Sequence, residues 1–103
     1  MLDVLRSRQN ELAELCRRHR VRRLAIFGSA AKGDFDPATS DLDFLVEFET
    51  LPPGEHADHY FGLMEDLQQL FCLPVDLVER APIRNPYFLE SVEESQVPLY
   101  VAA

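Results

Sequence analysis

"FGSAAKGDFDPATSDLDFLVEF", residues 27–48, places a turn of small residues between two apolar runs and opens the second run with Asp41 and Asp43. Two like charges at the start of a core strand repel each other and cost free energy to take out of water. Something positive belongs between them. A strand repeats its side chains every two residues, so both carboxylates point to one side, about 7 Å apart along the chain. That spacing can bracket one divalent cation, or two about 4 Å apart. Hard oxygen ligands select magnesium or manganese over zinc.

The first end of the stretch has a different chemistry. Gly28 closes the apolar run 24–28, and a glycine there allows a ligand to approach the backbone closely. Ser29 adds a hydroxyl at the start of a short helical turn, a seat for phosphate oxygens, and Lys32 stands three residues on. A third acid, Asp76, lies in "VDLVE" (75–79) between Val75 and Leu77, in a strand expected beside 42–48. Glu79 falls on the opposite face from Asp76 and is expected in solvent. As isolated residues, Asp41 and Asp43 read as an N-cap and a solvated strand position, and Ser29 as a plain N-cap. Their order and surroundings are what join them into one signal.

Working outward, residues 2–19 read as a helix with Leu5, Leu12, Leu15 and Cys16 on one face, and "RRHRVRR" (17–23) as its cationic end. Residues 24–28 and 42–48 are strands that could run either way. The segment 49–55 is a loop. Residues 57–71 return to helical spacing through Tyr60, Leu63, Met64, Leu67, Leu70 and Phe71, and Pro74 blocks continuation. A full helix between the second and third strands implies a crossover and parallel pairing. Asn85 then Pro86 opens a helix over 85–95, and "VPLYV" (97–101) is either a fourth edge strand or a docked tail. The outcome is an α/β (α+β) two-layer fold, a small mixed sheet of three to four strands with helices packed on it. Tyr60 and Phe61 are expected in the core; Tyr87 and Phe88 are expected there too, with a partner-facing pair as the alternative. His56 and His59 read as a polar helix face rather than a metal pair.

Taken together, "FGSAAKG", "SDLDFLVEF", "VDLVE" and the C-terminal "IRNPYFLESVEESQVPLY" (83–100) resemble the polymerase-beta type nucleotidyltransferases. The likeness is to their minimal form, the antitoxin partner of HEPN-domain toxins, and it covers nearly the whole chain. It implies that Gly28 and Ser29 bind a nucleoside triphosphate, ATP, with Lys32 toward the leaving pyrophosphate. It implies that Asp41, Asp43 and Asp76 hold magnesium or manganese and form the catalytic set, Asp76 also assisting deprotonation of the attacking hydroxyl. It implies transfer of AMP to a tyrosine of a cognate HEPN toxin. The sequence departs from that pattern in one respect: eleven residues, Ala30 to Ser40, separate Ser29 from Asp41, one more than usual. Lys32 stands where many relatives carry arginine, so it keeps the charge without the bidentate fork.

Bulk properties bound the rival functions. A chain of 103 residues is expected to be one domain, 1–103. Its net charge of −8 opposes sequence-independent binding to a polyanion, so direct nucleic-acid binding is not expected. The charge is uneven: residues 1–23 hold seven of the ten Lys and Arg. Cys16 and Cys72 read as buried free thiols in a reducing, cytoplasmic compartment. No apolar run suits a membrane span. A homo- or hetero-oligomer remains open. A haloacid-dehalogenase phosphatase would want Thr or Val where Leu45 stands, and an EF-hand lacks its later Asp or Asn steps. The remaining rival is a catalytically inactive binding module that neutralises a toxin by covering it.

Overall fold

Helical spacing in the first twenty residues produces two helices, not one: α1 (Leu2–Ser7) and α2 (Gln9–Arg18), broken at Arg8. The computed structural model describes residues 1–80 and 85–103; the quoted Ile83 and Arg84 lie outside the described residues. Leu5, Leu12 and Cys16 are fully buried, as the spacing requires. Arg20 turns the chain at a positive φ of 57°, so β1 (Val21–Phe27) starts three residues before the expected position. The cationic run therefore divides. Arg17 and Arg18 finish α2, while Arg23 sits on β1 and pairs across the ladder with Glu47 at 3.9 Å. Opposite charges directly across two strands are a favourable cross-strand pair.

A short helical turn, α3 (Ser29–Lys32), leads to β2 (Leu42–Phe48). Then follow α4 (His56–Phe71), β3 (Val75–Glu79), α5 (Pro86–Ser95) and β4 (Val97–Val101). The sheet order is β3-β2-β1-β4. β1 pairs antiparallel with β2 and with β4, and β2 pairs parallel with β3 across the α4 crossover. The last apolar run is thus an edge strand. This is the mixed sheet with packed helices that the pattern implied.

The pleat separates two unequal cores. Leu24, Ile26, Leu42, Phe44, Val46 and Leu77 face α1, α2 and α4 and meet Leu5, Leu12, Cys16, Leu63 and Leu67. The alternate residues Ala25, Phe27 and Leu45 face α5 and meet Val92, with Val78 beside them. Asparagine opens α5: the Asn85 carboxamide oxygen accepts hydrogen bonds from the Tyr87 and Phe88 amides at 3.0 and 3.3 Å. Arg80 ties the end of β3 to Glu93 of α5.

Four expectations about burial fail. Cys72 is exposed, because it lies past the end of α4 as its left-handed cap, with φ 54°. Phe61 (59% exposed), Tyr87 (82%) and Phe88 (44%) are surface residues, not core. Phe61 is one position out of step with the buried stripe of α4. Tyr87 and Phe88 sit in the first turn of α5, where only Val92 reaches the sheet deeply. Glu79 does not stay in solvent alone: it takes His56 of α4 at 2.7 Å. His59 approaches Glu55 at 3.6 Å, so the two histidines form the polar helix face that was expected. Among the described residues no helix is long and apolar enough to cross a membrane.

Candidate active site

Register decides which acids meet. Phe27, the last residue of β1, pairs with Asp43, and Asp43 pairs with Asp76 across the parallel β2–β3 ladder. Residues directly in register on neighbouring strands share a face, with backbones about 4.8 Å apart. Asp43 and Asp76 therefore stand side by side on the face that α5 covers further down. Asp41 precedes β2 on the same alternation, exposed at the strand's mouth. Strand β2 is set at this height because the Leu42 amide donates to the Pro74 carbonyl, just before β3 begins.

Of the three acids, Asp43 is the one that feels the other two. The Asp43 carboxyl is held above its usual range, first by burial, then by Asp76, then by Asp41. Each cause opposes ionisation, and a cation placed among the three would reverse the sign of the last two. Among the described residues no three His, Cys, Asp or Glu side chains are drawn together tightly enough to hold a metal ion as they stand. The donor set itself, oxygen only and acidic, suits a hard divalent ion.

Gly28 completes the corner. It adopts φ 70°, ψ −150°, and a Cβ built on it would lie 2.3 Å from Asp43 Oδ2. The group that approaches this glycine closely is the Asp43 carboxylate, where a ligand was the expected neighbour. Any side chain here would both strain the backbone and displace that oxygen. Gly28 is also the cap of α3, so Ser29 is the first helical residue and not an N-cap. The Ser29 hydroxyl bonds to no described residue, and its carbonyl accepts from the Asp34 amide at 3.0 Å. Lys32 is exposed at the end of α3, one turn from Ser29, and makes no ion pair with a described residue.

The longer linker closes on itself. Asp36 Oδ1 accepts from the Ala38 amide at 2.9 Å, and the Asp36 carbonyl accepts from the Ser40 amide at 2.8 Å. That turn lies between motifs carried by β1 and β2. The arrangement brings Gly28, Asp43 and Asp76 into one corner, with Asp41, Ser29 and Lys32 on its rim. Sequence reasoning missed α5 as a wall on this side of the sheet. Phe88 packs edge-on against Phe27, ring centroids 6.5 Å apart. The only available signal was the alternation of Ala25, Phe27 and Leu45, which demands a cover on this face too.

Comparison with known proteins points to one family. A family model described as a nucleotidyltransferase domain matches residues 10–99. A candidate protein adenylyltransferase of Methanocaldococcus jannaschii is 37% identical over 95 residues, covering 92% of this chain and 90% of that one. A solved minimal nucleotidyltransferase superposes with a TM-score of 0.77 at 35% identity, over 95% of both chains. A complex of a tri-AMPylated Shewanella oneidensis HEPN toxin with its MNT antitoxin contains a chain of the same fold. That match has a TM-score of 0.62 at 19% identity, over 95% of this chain and 73% of the other.

Proposed function

The chain belongs to the nucleotidyltransferase domain family, and from that premise we propose that it is a protein adenylyltransferase acting as an antitoxin. Residues 1–103, as one minimal domain, transfer AMP from ATP to a tyrosine hydroxyl of a HEPN-domain toxin. The observation that carries this reading is the register of Asp43 with Asp76, with the Gly28 backbone pressed on the Asp43 carboxylate. A plain structural pair of acids would not require a side-chain-free residue at left-handed φ against one of them. The adenylyltransferase relative and the antitoxin bound to its AMPylated toxin support the choice of nucleotide and acceptor.

In this reading, Gly28 and Ser29 hold the triphosphate through backbone amide and hydroxyl. Lys32 offsets charge on the departing pyrophosphate. Asp41, Asp43 and Asp76 would hold magnesium or manganese, which supplies charge neutralisation at the α-phosphate when bound. Asp76, exposed at the outer strand, accepts the proton of the incoming hydroxyl. Asp43, fixed between Gly28 and Asp76, positions the set. The protein's contribution is placement and electrostatics, as for other phosphoryl transfers.

The test is incubation with ATP labelled in the α-phosphate, magnesium and a purified HEPN-domain partner. The expected result is label on the partner, lost on chelation and in Asp41→Asn. Tight association with no label under any metal condition would instead establish the inactive binding module.

A further inference from the structure

We propose that Tyr87 is itself an acceptor of AMP, modified at its phenolic oxygen by the site of a second copy of this chain. The inference rests on the adenylyl-transfer reading above and extends it to a residue of the enzyme.

The chain has three tyrosines, and the structure treats them differently. The Tyr60 hydroxyl donates to the Leu77 carbonyl at 2.5 Å in a half-buried position. Tyr100 lies in β4 and is partly buried against the large core. Tyr87 is 82% exposed, and its hydroxyl bonds to no described residue. It belongs to α5, the helix over the sheet face that carries Asp43, whereas the Tyr60 hydroxyl near Asp76 is already engaged with Leu77. Its neighbour Phe88 packs on Phe27, and Phe27 is the register partner of Asp43.

Helix α5 cannot readily turn Tyr87 into its own site. The Asn85 cap, the Phe88–Phe27 contact, the buried Val92 and the Arg80–Glu93 pair all hold it in place. The site of another molecule is open to it, with Asp41 and Asp76 both exposed. In the step, the Tyr87 oxygen forms a bond to the α-phosphorus of ATP. The bond from that phosphorus to the oxygen bridging the β-phosphorus breaks, and pyrophosphate leaves with that oxygen. The phenol proton passes to the Asp76 carboxylate of the acting copy. Two chains of charge −8 repel, so the reaction between copies is expected to quicken as added salt screens them.

The experiment uses the full chain with α-labelled ATP and magnesium, followed by peptide mapping. Wild type is expected to carry label on the Tyr87 peptide and not on those of Tyr60 or Tyr100. A tagged Asp43→Asn chain is expected to stay bare alone and to become labelled at Tyr87 when mixed with an untagged Tyr87→Phe chain. Equal labelling of Tyr87→Phe and wild type would overturn the proposal. So would an Asp43→Asn chain that never labels in the mixture while wild type labels itself. If a HEPN-domain partner in the same tube is labelled and Tyr87 is bare, the inference fails and the proposed function stands. If neither is labelled, both fall.

Discussion

The two faces of the sheet are built from the same strands and serve opposite ends. On one, Leu42, Phe44 and Val46 are sealed under α1, α2 and α4, and among the described residues no polar side chain is buried with them. On the other, the intervening residues begin with Asp43, and among the described residues Ala25, Phe27, Leu45 and Val92 make a dry contact before the carboxylates reach water. The difference teaches where the site's cost is carried. Acids of like charge can be held in register because the reverse side of their own strands is packed independently of them.

The sharpest way to break that comparison is to mutate neighbours on one strand. Phe44→Ala removes the largest fully buried side chain of the large face and is expected to cost about 3–5 kcal/mol, read by denaturant unfolding. Asp43→Asn should do the reverse. The Asp43 carboxyl is raised, so the folded chain binds that proton more tightly than the unfolded chain. Its contribution to stability is full below the unfolded carboxyl's pKa and is lost as pH rises through the folded one. At neutral pH and without metal, Asp43→Asn should therefore melt at the same or a higher temperature, while AMP transfer falls on the order of 10²–10³-fold or more. An Asp43→Asn chain that unfolds as readily as Phe44→Ala would mean that both faces are structural.

Gly28→Ala lies next in size and should damage both properties. The added methyl meets Asp43 Oδ2, and the backbone is at left-handed φ, so a loss of about 1–3 kcal/mol is expected along with most of the activity. Ser29→Ala, which leaves the backbone unaltered, should lower activity with stability unchanged within about 0.5 kcal/mol. Comparing the two separates the role of the corner's backbone from that of its hydroxyl.

How much of this was legible in the residues follows the same division. The large face announces itself, because Leu5, Leu12, Leu63 and Leu67 recur at helical spacing and Leu42, Phe44 and Val46 alternate. The parallel pairing of β2 and β3 follows from the helix between them, while the register that sets Asp43 beside Asp76 is seen only in the structure. The direction of β1 against β2 was not legible, since a linker of a dozen residues permits either. Nor was the burial of Tyr87 and Phe88, because an aromatic pair beside a helix start fits a core or a surface equally well. Cys72 was misread for a local reason: its side chain continues the apolar spacing of α4, but its backbone has already left the helix. The pressure of Gly28 on Asp43 is a tertiary contact of residues fifteen positions apart, and spacing alone cannot carry it.

Thiol labelling gives the finest probe of the two faces. Cys16 is buried in the large core, and burial pushes its thiol up to about 12, whereas Cys72 is exposed at the end of α4. Near pH 8 an alkylating reagent should modify Cys72 quickly, and Cys16 only when the chain opens, because the thiolate is the nucleophile and the buried thiol must first reach water. The rate at Cys16 then reports how often the large face opens. Val92→Ala removes the only buried residue that α5 inserts and is expected to cost about 1.5 kcal/mol. If α5 opens independently of the rest, Cys16 labelling should stay at the wild-type rate in Val92→Ala yet rise in Leu63→Ala. If Val92→Ala accelerates Cys16 as strongly as Leu63→Ala does, the faces unfold as one unit, and the site's acids strain the whole molecule instead of one side of it.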